Sequence, residues 1–305
     1  MTPGPPRPGT PPTGSLPAGR AARALLPRRR LTATVLGIGL LAPAACSPGA
    51  QPVATDPELA RDPLATVDQS AWDAREAGAL TGLPIEGDLA DFASWEEAGL
   101  DDSSVASTRQ QLVDFLGAVY LSPSSFAGLS DAETRSRVDE VTPDFWKDDL
   151  AEAWDDGNRH FYAFALADPF APVGAPRIAA NWYRAEDGSV PQLMTTGTFA
   201  HTVIDTSSRE VGVVAQRFAM RVDLGAQGEA VRGTHQVTLH GLDLCATGEA
   251  SGLHVPAIST ARAHQAVQSA TMDQVIASPR VPRTALDSGS EDARQGDRET
   301  VLFCD

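Results

Sequence analysis

The hydrophobic positions between Val105 and Tyr120 recur at helical spacing. They fall at i, i+3, i+4, i+7 and i+8, which places them on one face of an α-helix. These positions are Leu112, Phe115, Leu116, Val119 and Tyr120, and the opposite face carries Arg109, Gln110 and Asp114. The pattern predicts a helix with one face in the core and one in solvent.

Two further helices are predicted directly after it. Ser130 and Glu133 have the spacing of a capping box, which predicts a helix over Ser130–Val141. Thr142 as N-cap and Pro143 at the first position predict the start of a third helix. Its buried positions, four residues apart, are expected to be Trp146, Leu150 and Trp154, before Gly157 ends it.

After Gly157 the sequence changes to runs rich in β-branched and aromatic residues. The predicted strands are Arg159–Leu166, Arg177–Ala185, Pro191–Asp205, Glu210–Asp223 and Val231–Leu244. Short turn-like breaks separate them, which indicates antiparallel hairpins. A last helix is predicted over Ser259–Ala277, with Ser278 and Pro279 ending it.

Helices followed by a meander of strands predict an α+β fold, with the N-terminal helices packed on a curved, cone-like antiparallel sheet. The element order over residues 105–245 resembles the nuclear transport factor 2-like fold. No diagnostic motif accompanies that resemblance. The fold is found in many exported proteins of GC-rich actinobacteria, including accessory proteins of membrane transport and conjugation machinery. A fold alone does not assign a function.

The first 45 residues have the features of a signal peptide: six arginines, no acidic residue, and an uncharged run over Leu31–Ala45. That run is too short for a permanent membrane anchor. The segment Leu40–Cys46 resembles the lipobox of bacterial lipoproteins, in which the cysteine is lipidated, although Pro43 departs from the usual aliphatic residue. The resemblance implies lipidation of Cys46 and attachment to the outer face of the cell membrane.

Two alternatives concern export. Ordinary signal-peptidase cleavage after residues 42–44 would release a soluble secreted protein. The arginines at 28–30 also resemble a twin-arginine signal, so the export route is open.

The expected organisation after residue 45 has four parts. Residues 46–56 form the lipidated cysteine and a flexible tether. Residues 57–104 are acidic and expected to be partly ordered, with short helices near 67–79 and 88–99. The α+β domain is expected over 105–277, followed by a polar tail over 278–305.

Composition limits the partners. The chain has a formal net charge of −16, and the mature part carries −22 because the signal peptide removes six arginines. Such an acidic surface argues against binding to nucleic acid. The single lysine, Lys147, and the two asparagines, Asn158 and Asn181, are typical of a GC-rich bacterium.

With Cys46 lipidated, Cys245 and Cys304 are the remaining thiols. An even pair in an oxidising compartment usually forms a disulfide, so we predict a bond between them. The alternative is two free or buried thiols.

No catalytic or metal-binding motif is present in the sequence. The six histidines have no spacing suited to metal ligands, and neither a Gly-Xaa-Ser-Xaa-Gly elbow nor a phosphate-binding glycine-rich loop occurs. The sequence therefore predicts no metal site and no cofactor.

One group of polar residues is a candidate pocket. If the last two hairpins turn about Ser207 and Gln227, then His201, Arg217 and His235 lie among apolar residues on one sheet face. A slip of one residue would exchange the faces. We expect a non-enzymatic envelope lipoprotein that binds a partner protein or a small apolar ligand. The alternative is a small isomerase- or cyclase-like enzyme with His201 or His235 as general base.

Overall fold

The computed structural model of the protein describes residues 62–258 and 272–282, which belong to one compact unit. Nine helices and strands are defined in this part of the chain. In chain order they are β1 (Ile85–Leu89), α1 (Asp102–Tyr120), α2 (Asp131–Val141), α3 (Lys147–Asp155), β2 (Phe170–Asp187), β3 (Val190–Asp205), β4 (Val211–Leu224), β5 (Ala230–His240) and α4 (Leu244–Glu249). Residues 272–277 are also helical, and short 3₁₀ turns connect several elements.

The five strands form one sheet in the order β1-β2-β3-β4-β5. Strands β2 to β5 pair with their neighbours in antiparallel fashion, whereas β1 runs parallel to β2. The helices α1 to α3 share a hydrophobic core with one face of the sheet. The predicted α+β fold, with helices against a mainly antiparallel sheet, is confirmed.

The sheet face toward the helices, which we call the inner face, holds the main core. Phe199 on β3 and Phe218 on β4 stack with ring centroids 4.4 Å apart. Tyr120, at the end of α1, stacks on Phe199 at 6.0 Å. All three side chains are fully buried, so each removes a large apolar area from water and stabilises the fold by about 1.5–3 kcal/mol.

The opposite, outer face is also covered. Alanines on three strands leave room for side chains from residues 62–74 and from the helix at 272–277. The covering residues are Leu64, Trp72, Met272 and Val275, and they pack on Ala179, Ala200 and Ala215. Both faces of the central strands are therefore buried.

Two acidic residues form the polar contacts that hold the covering segments on the outer face. Asp62 forms a salt bridge with Arg177 at 3.1 Å and accepts a hydrogen bond from the hydroxyl of Thr202. Asp73 accepts from Arg280 at 2.7 Å. The Arg177 side chain is only 4% exposed, so its charge depends on Asp62 for compensation.

The first two of the three predicted N-terminal helices agree well with the structure. All five apolar positions expected to be buried in α1 are buried, and Ser130 and Glu133 form the capping box of α2. The third helix differs, because a 3₁₀ turn at Asp144–Trp146 precedes α3 and Thr142 ends α2 instead of starting the next helix.

Arg109 is a wrong prediction. It was placed on the solvated face of α1, yet it is 8% exposed. Its Nη2 donates to the backbone oxygens of Leu80 and Leu83, at 2.6 Å each, and its guanidinium lies 4.7 Å from the ring of Trp182. A 3₁₀ turn packed on α1 therefore needs this arginine to bind its terminal carbonyls.

The first strand and the domain boundary were also predicted wrongly. Residues 159–166 form a 3₁₀ turn and irregular backbone, not a strand. Strand β1 lies in the acidic segment, where short helices were expected, and 3₁₀ turns replace the helix expected near 67–79. The folded domain thus includes residues 62–104 and begins well before residue 105.

Several predictions concern residues outside the described part of the chain: the signal peptide, Cys46, the tether, residues 259–271 and most of the tail, with Cys304. Residues 272–277 agree with the end of the predicted last helix. Within residues 62–258 and 272–282, no helix combines the length and the apolar character needed to cross a membrane.

Candidate functional site

The observed strand register brings two of the three predicted site residues to one face. His201 on β3 pairs with Val214, and His235 on β5 pairs with Met220. Because directly paired residues share a face, both histidines lie on the inner face with these apolar residues. Arg217 has the opposite parity on β4 and lies on the outer face. The expected pocket shared by all three residues is not formed.

His201 is buried within the core. It is 3% exposed, and its ring lies 4.6 Å from that of Phe164. Its Nε2 lies 2.9 Å from the backbone oxygen of Tyr120. Since a carbonyl oxygen can only accept, Nε2 carries the proton and donates it. Burial lowers the pKa of His201 to about 4, so the ring is neutral at physiological pH.

His235 is bound to the side chain of the same tyrosine. Its Nε2 lies 3.0 Å from the Tyr120 hydroxyl, which donates to the backbone oxygen of Phe161 at 2.6 Å. The hydroxyl has a single proton, so His235 must donate from Nε2. Burial lowers the pKa of His235 to about 4. Its ring is framed by Phe115, Tyr120, Trp146 and Tyr162, with centroids 5.6–5.9 Å away.

Arg217 lies on the outer face and contacts the segment that covers it. Its Nη2 donates to the backbone oxygen of Arg280 at 3.3 Å, in the C-terminal segment that covers the sheet. Burial, followed by the positive charge of Arg217, lowers the pKa of the neighbouring His240 to about 4. This arginine therefore helps to hold the covering segment.

A second pair of histidines was not found from the sequence. The rings of His160 and His254 lie nearly perpendicular, with centroids 6.5 Å apart. His254 is fully buried, and burial, followed by the neighbouring His160, lowers its pKa to about 3. The two residues are far apart in the sequence and neither follows a recognisable motif. Within the described residues, no three side chains of His, Cys, Asp or Glu come together as a metal site.

The surface of the described domain contains cavities. Three of them are lined by residues other than His201, Arg217 and His235. One of about 1010 Å³ lies over the outer face, with Val213, Ile258 and Met272 in its wall. Ile258 and Met272 flank residues 259–271, which lie outside the described part. The other two, of about 420 and 410 Å³, are lined mainly by small and polar side chains of α1 and adjacent loops.

Cys245 lies in the first turn of α4 and is partly buried. Its expected partner, Cys304, lies outside the described residues, so the disulfide stays a prediction.

Comparison with known proteins identifies no relative. The chain matches no protein-family profile, no curated protein and no solved structure. The resemblance to the nuclear transport factor 2-like fold therefore stays a prediction.

Proposed function

We propose that this protein is a lipid-anchored binding module on the outer face of a bacterial cell membrane, with no catalytic activity of its own. Its target is a partner protein of the envelope or a small apolar ligand. The main support for the proposal is that Tyr120 forms hydrogen bonds with both candidate histidines. The signal-peptide features of the first 45 residues and the lipobox-like segment ending at Cys46 support a location at the cell membrane.

The hydrogen bonds of the two histidines argue against general-base catalysis. A base needs a pKa near the working pH and a nitrogen within reach of a substrate proton. His201 and His235 each have a pKa of about 4, and each uses its Nε2 proton within the core. Their neighbours are packed aromatic rings. These features are those of structural histidines.

The attachment of Asp62 limits how far the domain can lie from the membrane. Asp62 is held to β2 through Arg177, and residues 47–61 separate it from the predicted lipid site at Cys46. A fully extended chain of that length spans at most about 54 Å. The acidic domain repels anionic lipid headgroups, which favours an extended position.

Cell fractionation tests the anchor. Cys46→Ala should move the protein from the membrane fraction to the medium, or leave an unprocessed precursor. Cys245→Ser is the matched control, since it replaces a cysteine that lies within the domain and not at the lipidation site, so this variant should stay in the membrane fraction. Membrane retention of a normally cleaved Cys46→Ala protein would contradict the proposal.

Crosslinking in intact envelopes tests the binding role. The anchored protein should crosslink reproducibly to a defined partner, and the Cys46→Ala form should lose that product because it leaves the membrane. The enzyme alternative predicts a different result. In that case replacing His235 with Gln would abolish turnover of a small substrate without altering stability.

A further inference from the structure

Within the described part of the chain, the last strand of the sheet has one long edge that no other strand pairs with. Strand β5 pairs with β4 on one side and with no other strand of the described part. It has 11 residues, which correspond to about 37 Å of extended chain. Within residues 62–258 and 272–282, no turn or loop segment forms a backbone hydrogen bond with residues 231–239.

This edge lacks the features that normally prevent strands from pairing with other chains. Protective features include prolines, lysines, inward charges and short length. β5 contains no proline, lysine or acidic residue. Its one permanent charge, Arg232, is bound back to Asp223 on β4, with Nη2 and Oδ2 2.7 Å apart. The opposite edge is different, because β1 has only five residues and its sequence includes Glu86 and Asp88.

From these features we propose that β5 pairs with β5 of a second copy of this chain, so that two five-stranded sheets join into one. Identical strands pair in antiparallel fashion about a two-fold axis, the commonest symmetry of homodimers. This inference goes beyond the proposed function and does not depend on it.

The sequence of β5 fits such self-pairing with Gln236 on the two-fold axis. Thr234 would then face Thr238 of the second copy, and threonine pairs across strands are favourable. Arg232 would face His240 of the second copy, whose pKa of about 4 keeps it neutral. No two like charges would lie directly opposite each other. Thr234 and Gln236 are exposed in the single chain, so pairing needs no rearrangement of the core.

Charge distinguishes a second copy from another extended partner. Two copies of the exported chain, with a net charge of −22 each after removal of the predicted signal peptide, repel one another, so salt should strengthen the dimer by screening. A basic peptide bound to the same edge would instead be released by salt.

Sedimentation of the exported chain carrying Cys46→Ala tests the proposal. We expect a monomer–dimer equilibrium that shifts toward dimer at high salt. Gln236→Lys places two lysines opposite each other and should raise the dissociation constant by up to about fivefold. Gln227→Lys is the matched control, because it adds the same charge in the exposed β4–β5 turn and should leave the equilibrium unchanged.

Cysteine crosslinking tests the pairing register. Directly opposed residues of two strands have Cα atoms about 4.5–5.5 Å apart, within the range of a disulfide. Gln236→Cys should therefore form a covalent dimer on oxidation, whereas Gln227→Cys should not. A monomer at all concentrations and salts, a dimer unaffected by Gln236→Lys, or equal crosslinking at both positions would overturn the proposal. Unchanged circular dichroism would show that each variant is folded.

Discussion

The hydroxyl of Tyr120 lies 3.0 Å from Nε2 of His235, and the backbone oxygen of the same tyrosine lies 2.9 Å from Nε2 of His201. One residue at the end of α1 therefore fixes the tautomers of two histidines on different strands. The hydrogen bonds connect the helical layer to β3 and β5 through groups that would otherwise be buried without partners.

Removing the Tyr120 hydroxyl should destabilise the fold. Tyr120→Phe leaves the backbone oxygen of Phe161 and the Nε2 proton of His235 without their partner, at a cost of about 1–3 kcal/mol. Tyr162→Phe is the matched control, since Tyr162 belongs to the same aromatic cluster and is less buried. Urea denaturation should show a clear loss for the first variant and little change for the second. Equal losses would contradict the role given to Tyr120.

Stability should fall as the pH drops from about 7 to about 5. The folded-state pKa is about 4 for His201, His235 and His240 and about 3 for His254, against 6.5 for an ordinary histidine. The unfolded chain therefore binds protons that the folded chain does not, which removes up to about 1.4 kcal/mol per pH unit for each histidine. Urea midpoints across this range measure the effect.

Replacing His201 measures how much of that pH dependence of stability comes from this one histidine. His201→Gln keeps an N–H donor near the Tyr120 backbone oxygen and removes one titrating group, so its pH dependence should be shallower by about one proton. Asp205, with a pKa lowered to about 2 by hydrogen bonds from Ser207 and Ser208, loses its contribution only at lower pH. An unchanged slope in His201→Gln would show that this histidine titrates normally in the folded protein.

Gly233 permits the close contact between β5 and the helical layer. A Cβ at this position would lie 2.6 Å from the ring of Phe145 and 2.9 Å from that of Trp146. Gly233→Ala should therefore lower the free energy of unfolding by about 1–3 kcal/mol. Gly248→Ala, in α4, meets nothing within 4 Å and is the control. Thermal unfolding should separate the two variants, and similar midpoints would disprove the steric constraint.

The salt bridge between Asp62 and Arg177 should hold the covering segment on the outer face. Asp62→Ala leaves a buried guanidinium without its carboxylate and should cost about 2–3 kcal/mol. Asp144→Ala removes the exposed pair with Lys147 and should change stability little. Limited proteolysis near residue 62 should become faster only in the first variant. Equal proteolysis rates would show that the segment is held by apolar packing alone.

The helices and the hairpins were predictable because local signals define them. The sequence also predicted that His201 and His235 share one face of the sheet, although the centre of each turn was placed half a residue too early. Each error shifts the strand pairing by one residue. The first shift moves every side chain of β4 to the opposite face, and the second shift returns the side chains of β5 to the predicted face. The two histidines therefore share a face as predicted, whereas the prediction that Arg217 lies with them is wrong.

Other features have no local signal. Strand β1 contains Gly87 and two acidic residues and depends on parallel pairing with β2, which a sequence pattern does not show. Arg109 was read as a solvated residue because its partners are backbone oxygens from another segment. The contact between His160 and His254 depends in the same way on the tertiary fold.

The protonation of the two core histidines tests the account most directly. A long-range ¹H–¹⁵N correlation spectrum of the histidine rings, recorded from about pH 7.5 to about pH 5, reports tautomer and charge. The structure predicts that His201 and His235 remain neutral with the proton on Nε2 throughout this range. Titration of either ring near its ordinary pKa would show that it meets solvent and could act as a base, which would contradict the non-catalytic role.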